Sequence, residues 1–166
     1  ERLDVGTRLA ATAKRNGDMQ QSSMSLGALN DFSYIETLDD AALLIGTRAV
    51  ELLNAPYAEP GVYPVVLDPV LAGVFCHEAF GHLSESDFVY ENDRMKEIMV
   101  LGREFGGKHL NIVDGAAVAG LRGSYKYDDE GTPATKTDLI RDGVLVGRLH
   151  SRETAGRMGE PTSGNA

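Results

Sequence analysis

Residues 77–82 (HEAFGH) place two histidines and a glutamate close together. Zinc hydrolases bind their metal through imidazole and carboxylate groups, and a neighbouring glutamate serves as the general base. The residue types therefore indicate a zinc hydrolase in which His77 and His82 hold the metal and Glu78 activates a water molecule. The alternative is a mostly buried helix with one hydrogen-bonded polar patch. The local residues leave both interpretations open.

The spacing of the two histidines does not suit a regular α-helix. In the HExxH pattern the histidines are four residues apart and share one face of the helix. His77 and His82 are five apart, which separates them by roughly 140° at about 100° per residue. A π-type turn would align them, and such turns are frequent at functional sites. We expect Gly81 to be the flexible residue that permits this distortion.

The histidines lie at the end of an apolar helix whose start is well marked. Asp68 is a favoured N-cap residue and Pro69 is tolerated at the first helical position, so the helix is predicted to begin there. Residues 62–67 are apolar and are predicted to form a short strand that leads into it. A strand followed by a helix would place the metal ligands on rigid elements.

Two acidic residues follow the second histidine. Glu85 and Asp87 are candidates for orienting a histidine by accepting its second ring N–H. Glu85 is the better candidate because it lies three residues after His82. A solvated helix end is the alternative for both.

The motif resembles the HExxxH motif of the TldD/PmbA family, whose TldD-type members are metallopeptidases and are also called modulators of DNA gyrase. Further stretches agree with that family in the same order, namely Glu85 and Asp87, then residues 128–133 (DDEGTP), 139–145 (LIRDGVL) and 161–165 (PTSGN). The resemblance extends over residues 40–166. It implies a zinc-dependent peptidase in which His77 and His82 bind Zn²⁺ and Glu78 is the catalytic base. The implied third ligand is a cysteine beyond Ala166, so activity of this chain alone is in question.

The resemblance also implies a partner and a class of substrate. A TldD-type subunit is expected to pair with a TldE/PmbA-like subunit, or with a second copy in a homodimer. Unfolded or extended peptides are the expected substrates, held by main-chain hydrogen bonds to strand edges. A non-catalytic binding or assembly domain of such a complex is the alternative. A structural metal site with four ligands is a weaker one, because the other candidate ligands, Cys76, His109 and His150, are scattered.

Composition and charge limit the possible function classes. The chain of 166 residues has a formal net charge of −9, whereas nucleic-acid-binding surfaces are normally basic, so direct nucleic-acid binding is not expected. No apolar run approaches the ~18–20 residues that span a bilayer, and no signal peptide opens the chain. We therefore expect no membrane association. The single cysteine, Cys76, excludes an internal disulfide framework, and from this we expect a cytoplasmic location. Because the chain begins at Glu1 without Met, we expect it to be part of a longer protein.

The hydrophobic pattern predicts an α+β fold with antiparallel β-rich lobes and a few helices, one of which carries the motif. Strands are predicted over 5–14 and 19–35, followed by a helix over 38–54 capped by Asp39. Residues 1–55 are expected to end an N-terminal α+β domain, and residues 56–62 to form a linker. Residues 63–166 are expected to begin a C-terminal metallopeptidase domain.

Later segments add four predictions. Residues 88–108 are predicted to form a charged surface helix that ends in a Gly-Gly turn. Asp142-Gly143 is predicted to join two strands in a hairpin. The acidic cluster of Asp128, Asp129 and Glu130 is expected to be a solvated loop, with binding of a cation or of a substrate's amino terminus as the alternative. His150 lies near Arg148 and Arg152, a basic setting that predicts a poor metal ligand.

Overall fold

The computed structural model describes residues 3–29 and 31–166. The chain separates into two units, one comprising the residues up to Pro64 together with Gly120–Arg122, and the other comprising Val65–Ala119 and Gly123–Ala166. Each unit contains an antiparallel sheet and helices. The predicted α+β class is therefore confirmed.

The first unit is built on a long β-hairpin. Strand β1 (Val5–Arg15) pairs with β2 (Asp18–Ala28) in an antiparallel register that sets Arg15 opposite Asp18. The two connecting residues, Asn16 and Gly17, both have positive φ angles of 52° and 96°. Two consecutive positive φ angles match the twist of paired strands, which is why Asn-Gly predicts this turn correctly.

The predicted extension of the second strand to residue 35 is wrong. Strand β2 ends at Ala28, and helix α1 (Ser33–Glu36) occupies the later part of the predicted strand. The Asp31 carboxylate accepts the N–H of Ser33 at 2.9 Å. Aspartate side chains that bind nearby backbone groups in this way compete with strand pairing.

Helix α2 (Asp39–Leu52) packs on the hairpin through Ile45 and Ala49, which are both buried. The predicted cap at Asp39 is wrong, because Leu38 occupies the N-cap position and no side chain bonds the exposed N–H groups there. Asp39 instead lies in the first helical turn. A carboxylate in this position is favoured by the helix dipole.

Residues 62–67 do not form the predicted strand. Within the described ranges they belong to no helix or strand. The side chains of Val62 and Val66 are fully exposed. An apolar run predicts a strand from the sequence. A strand forms only where a partner strand makes hydrogen bonds with its backbone N–H and C=O groups.

The motif-bearing helix begins where the sequence predicts. Asp68 caps helix α3 (Pro69–Cys76), and its carboxylate accepts the N–H of Leu71 at 2.9 Å. The helix then continues as a π turn over His77–Gly81 and as a 3₁₀ turn over His82–Ser84. None of the described helices is both long and apolar enough to cross a membrane.

Two short helices replace the single helix predicted over residues 88–108. These are α4 (Ser86–Glu91) and α5 (Asp93–Ile98). Asn92 separates them in an extended conformation, and its side chain accepts the N–H of Met95 at 3.2 Å. The asparagine therefore ends one helix and caps the next, as asparagine does at N-cap positions.

A three-stranded antiparallel sheet forms the β part of the second unit. Its strands are β3 (Ile112–Gly115), β4 (Lys136–Arg141) and β5 (Val144–Leu145), in that spatial order. The predicted Asp142-Gly143 hairpin is confirmed, and both residues have positive φ angles. A side chain at Gly143 would also collide with the carbonyl oxygen of Gly106, so glycine is required there.

The second unit closes with α6 (Arg152–Met158), which starts at a capping box formed by Ser151 and Thr154. Its hydrophobic core joins the motif segment, α4, α5 and the sheet. The buried members are Phe80, Val89, Met95, Met99, Leu139, Ile140 and Leu145. Because Phe80 belongs both to this core and to the π turn, core packing fixes the position of the motif.

Candidate metal centre

The π turn aligns the two histidines of the motif. The backbone N–H of His82 donates to the carbonyl of His77, so this hydrogen bond spans five residues instead of the four of an α-helix. The two imidazole rings lie 4.4 Å apart between centroids and are inclined at 65°. Of the two helix geometries that the sequence left open, the structure has the widened one.

The expectation that Gly81 permits this distortion through its flexibility is wrong. Its backbone has ordinary right-handed helical angles, φ −56° and ψ −53°. A Cβ atom there would make only ordinary contacts, the shortest at 3.7 Å to Nδ1 of His77. The local geometry would therefore accept another small residue such as alanine.

Tertiary contacts stabilise the widened turn instead. Phe80 is buried and packs edge-to-face on Phe105, with ring centroids 5.4 Å apart. The hydroxyl of the fully buried Ser84 donates to the Phe80 carbonyl at 3.1 Å. The same segment thus gains a packed aromatic ring and a hydrogen bond that offset the poorer π geometry.

His77, Glu78 and His82 form a cluster in which one ligand atom from each lies within 4.8 Å of the others. Oε2 of Glu78 is 4.0 Å from Nε2 of His82. Ligand atoms on one zinc ion are roughly 3–3.5 Å apart, given bonds of about 2.1 Å. All three residues are exposed, and their ligand atoms lie somewhat farther apart than this spacing.

Glu85 contacts the outer side of His82. Its Oε1 lies 2.8 Å from His82 Nδ1. A carboxylate that accepts the Nδ1 hydrogen leaves Nε2 with its lone pair, and Nε2 is the atom that faces Glu78. This is the contact that the sequence suggested for Glu85.

A backbone pairing that the sequence did not reveal holds Glu85 in place. The N–H of Ser86 donates to the carbonyl of Leu149 at 3.0 Å, and the N–H of Leu149 donates to the carbonyl of Ser84 at 2.9 Å. Leu149 is far away along the chain, so no local pattern signals this contact.

Asp87 is not brought to the histidines. It is exposed, and its carboxylate accepts the N–H of Phe88 at 2.8 Å. Among the contacts of the described residues, none joins Asp87 to His77 or His82. Cys76 precedes His77 directly but is not part of the metal-ligand cluster.

The other two histidines also lie outside the cluster. His109 is exposed. His150 is buried, with Nδ1 3.1 Å from Thr154 Oγ1 and Nε2 3.1 Å from Glu160 Oε2. The side chain of Arg148 also pairs with Glu160. Both ring nitrogens of His150 thus have partners, which supports a structural role.

The acidic cluster after residue 127 organises a loop. The Asp128 carboxylate accepts the backbone N–H groups of Glu130, Thr132 and Ala166 at 2.8–3.2 Å. Burial favours the neutral carboxyl, but these hydrogen bonds outweigh it and hold the pKa of Asp128 below its ordinary value. Asp128 is buried, so the expected solvated loop is wrong at this residue, and its oxygens are already engaged by the chain itself.

The aligned His-Glu-His cluster has the donor set of a metallohydrolase centre. Residues 60–166 match the family model of the PmbA/TldA metallopeptidase C-terminal domain. The chain belongs to this family.

Curated relatives carry names that agree with this assignment. A Synechocystis metalloprotease is 52% identical over 163 residues, which cover 98% of this chain and 35% of the relative. A Methanocaldococcus jannaschii metalloprotease is 43% identical, covering 92% of this chain and 34% of its own length. A Saccharolobus solfataricus protein named a zinc metalloprotease TldD homolog is 34% identical, with coverages of 72% and 26%. The chain thus spans about a third or less of the relatives it matches.

Solved structures share the fold. A Thermotoga maritima protein described as a modulator of DNA gyrase superposes with a TM-score of 0.74 at 22% identity, covering 97% of this chain and 36% of that protein. TldE from Thermococcus kodakarensis gives a TM-score of 0.58 at 15% identity, with coverages of 93% and 34%. At these identities the likeness shows the fold alone.

Proposed function

We propose that the full-length protein is a zinc-dependent peptidase of the TldD type and that residues 77–82 form its reactive centre. The observation that carries this proposal is the π turn, which brings ligand atoms of His77, Glu78 and His82 within 4.8 Å of one another. A regular helix would have separated the histidines. The relatives named metalloproteases support the reaction class.

The residues present fit a zinc ion. Two neutral imidazoles are common zinc ligands, and a catalytic zinc takes three protein ligands and leaves one position open. His77 and His82 are two of them, and we expect the third, a cysteine by family resemblance, outside these 166 residues. The contact between Glu85 and His82 Nδ1 supplies the outer hydrogen bond that zinc-binding histidines usually make.

Each acidic residue of the centre then has a distinct role. When bound, zinc supplies an activated water molecule and polarises the scissile carbonyl. The Glu78 carboxylate accepts a proton from the attacking water and delivers it to the leaving amine. Its side chain is 66% exposed, so a peptide can approach it directly. Glu85 orients the His82 ring, and Asp87 has no role in holding the histidines.

Extended or unfolded peptides are the substrates we propose, with a TldE/PmbA-like subunit as the partner and a homodimer as the alternative. Main-chain hydrogen bonds to a strand edge bind peptides with little regard to sequence. The fold that this chain shares with TldE supports an assembly of subunits that resemble one another.

Replacing Glu78 by glutamine in the full-length protein tests the proposal. We expect Glu78→Gln to retain zinc and to lose peptide hydrolysis by roughly 100-fold or more, because general-base catalysis contributes about 10²–10⁴. His82→Ala should lose zinc and hydrolysis together. If Glu78→Gln released the metal, Glu78 would be a ligand and not the base, and the assigned roles would be wrong.

A non-catalytic assembly domain is the second candidate function. The exposed apolar side chains of Val70, Val74 and Phe75 on α3 favour it, because an apolar helix face of this kind usually meets another protein surface. This alternative predicts no bound zinc and full tolerance of Glu78→Gln in the assembled complex. The same two measurements therefore separate the candidates.

A further inference from the structure

A cavity of about 600 Å³ adjoins the candidate metal centre within the second unit. Glu85, which contacts His82, lines this cavity, so one residue links the two features. Helices α4 and α6, the end of β3 and the segment around Tyr125 supply the other walls. Its volume lies within the range of about 300–1,000 Å³ that is typical of small-ligand sites.

The lining of the cavity carries an excess of negative charge. Its five carboxylates belong to Glu85, Asp87, Glu91, Asp114 and Glu153. Arg157 also lines the cavity, but its guanidinium is paired with Glu153 at 2.7 Å. Within the part of the chain that the structure describes, no cationic side chain pairs with Asp87, Glu91 or Asp114. These three carboxylates leave the cavity suited to a cation.

Two tyrosines of the lining lie beside charged groups, and Tyr125 reports the negative charge of the cavity. Burial raises the pKa of the Tyr125 hydroxyl, and the carboxylates of Asp114, Asp128 and Asp129 raise it further, as a negative environment does. The ring of Tyr90 already has the guanidinium of Arg157 4.9 Å from its centre. The ammonium of Lys96 lies 5.4 Å from the same ring centre, so Tyr90 already interacts with two cationic side chains of the protein itself.

Ser86 provides an independent sign of a missing ligand. It lines the cavity and is 1% exposed, yet its hydroxyl has no hydrogen-bond partner among the described residues. The other two most buried serines, Ser84 and Ser163, both make hydrogen bonds through their hydroxyls. A buried hydroxyl without a partner is unfavourable, and a water molecule, an ion or a ligand beside it would satisfy it. A polar atom of a bound ligand can supply this hydrogen bond.

We propose that this cavity is a substrate subsite that receives a cationic group of the peptide. The cation is an ammonium or guanidinium, which comes either from a lysine or arginine side chain or from a free α-amino terminus. Glu91 and Asp87 attract the charge, and Ser86 contributes a hydrogen bond. The subsite deepens the proposed peptidase function, since it gives a sequence preference to a centre whose main-chain contacts are sequence-tolerant.

Binding measurements on the full-length protein test the subsite. The protein carries Glu78→Gln so that peptides bind without being cleaved. The probes are C-terminally labelled peptides that carry either a lysine or a norleucine at one position. This position is moved stepwise along the peptide. Each peptide is made with a free and with an acetylated amino terminus. We expect roughly three- to tenfold tighter binding of one cationic form. The peptide set shows whether the side chain or the terminus is bound.

Variants at the cavity sharpen the test. Glu91→Lys should abolish the preference for the cationic over the neutral, acetylated peptide, because it replaces an attracting carboxylate by a like charge. Glu97→Lys is the matched control, because Glu97 is also exposed, lies on the neighbouring helix α5 and does not line the cavity. Ser86→Ala should weaken binding of the cationic peptide without lowering the melting temperature of the protein. The variant removes a hydroxyl that has no hydrogen-bond partner in the free protein.

These measurements separate the subsite from the peptidase activity. If the protein with Glu78 intact cleaves no peptide but the charge preference persists in binding, the subsite is upheld and the peptidase proposal fails. Equal binding of cationic and neutral peptides, or equal effects of Glu91→Lys and Glu97→Lys, would overturn the subsite whether or not peptides are cleaved.

Discussion

Removing the Glu85 carboxylate should weaken zinc binding by about tenfold. Glu85 Oε1 lies 2.8 Å from His82 Nδ1, so Glu85→Ala removes the group that fixes the ring and its tautomer. Such outer hydrogen bonds are worth about 10–100-fold in metal affinity. The two side chains are 53% and 48% exposed, so water replaces part of the lost bond and the lower end of that range applies. Tenfold corresponds to about 1.4 kcal/mol.

The assay is a competition titration of zinc between the full-length protein and a chromophoric chelator. The zinc affinity of Glu85→Gln should lie between those of the parent and of Glu85→Ala. Its amide oxygen can still accept the Nδ1 hydrogen of His82, but the negative charge is gone. Asp87→Ala is the matched control. It removes an exposed carboxylate two residues away that contacts the Phe88 N–H and neither histidine.

A zinc affinity for Glu85→Ala within twofold of the parent would refute this reasoning. The same conclusion would follow if Asp87→Ala lost as much affinity as Glu85→Ala, because the effect would then reflect general surface charge and not the contact with His82.

Three further predictions concern the framework of the site. Phe80→Ala should lower the free energy of unfolding by about 3–5 kcal/mol, because Phe80 is buried against Phe105. The same variant should also weaken zinc binding. A loss under 1 kcal/mol in denaturant unfolding would contradict this prediction. Asp128→Asn should destabilise the protein at neutral pH. Because the folded-state pKa of Asp128 lies below 3.8, its stabilisation is present above that pH and is lost as the pH falls through the folded pKa, so melting temperatures of variant and parent should converge in acid. Glu160→Ala should destabilise by about 3–5 kcal/mol, since it leaves the buried guanidinium of Arg148 without its carboxylate partner; a loss under 1 kcal/mol in denaturant unfolding would refute this ion-pair role.

Local sequence patterns predicted the elements whose stability is decided locally. Asn16-Gly17 and Asp142-Gly143 adopt positive φ angles that few other residues tolerate, so both hairpins could be predicted. Asp68 followed by Pro69 likewise fixed the start of α3. In each case the signal and the structure lie within a few residues of one another.

Elements that depend on distant contacts could not be predicted in the same way. The histidine spacing allowed a regular or a widened helix, and the choice depends on Phe80 packing against Phe105 and on the hydroxyl of Ser84. The strand predicted at residues 62–67 is absent, because an apolar run forms a strand only where a partner strand pairs with it.

The candidate site shows the same division. The types and spacing of His77, Glu78 and His82 were sufficient to suggest metal chemistry, and Glu85 was suggested by its spacing from His82. The cavity next to them was not foreseen, because Asp114, Tyr125 and Arg157 reach it from separate parts of the chain. The predicted division into residues 1–55, 56–62 and 63–166 stays a prediction.

The most direct test of the metal centre is the zinc content of the full-length protein and of its His82→Ala variant, determined by elemental analysis after exposure to zinc and removal of the excess. The proposal predicts about one zinc ion per chain in the parent and little in the variant, because His77, His82 and a third residue together bind a single ion. A parent without zinc, or a His82→Ala variant that holds as much as the parent, would contradict a zinc site at the π turn.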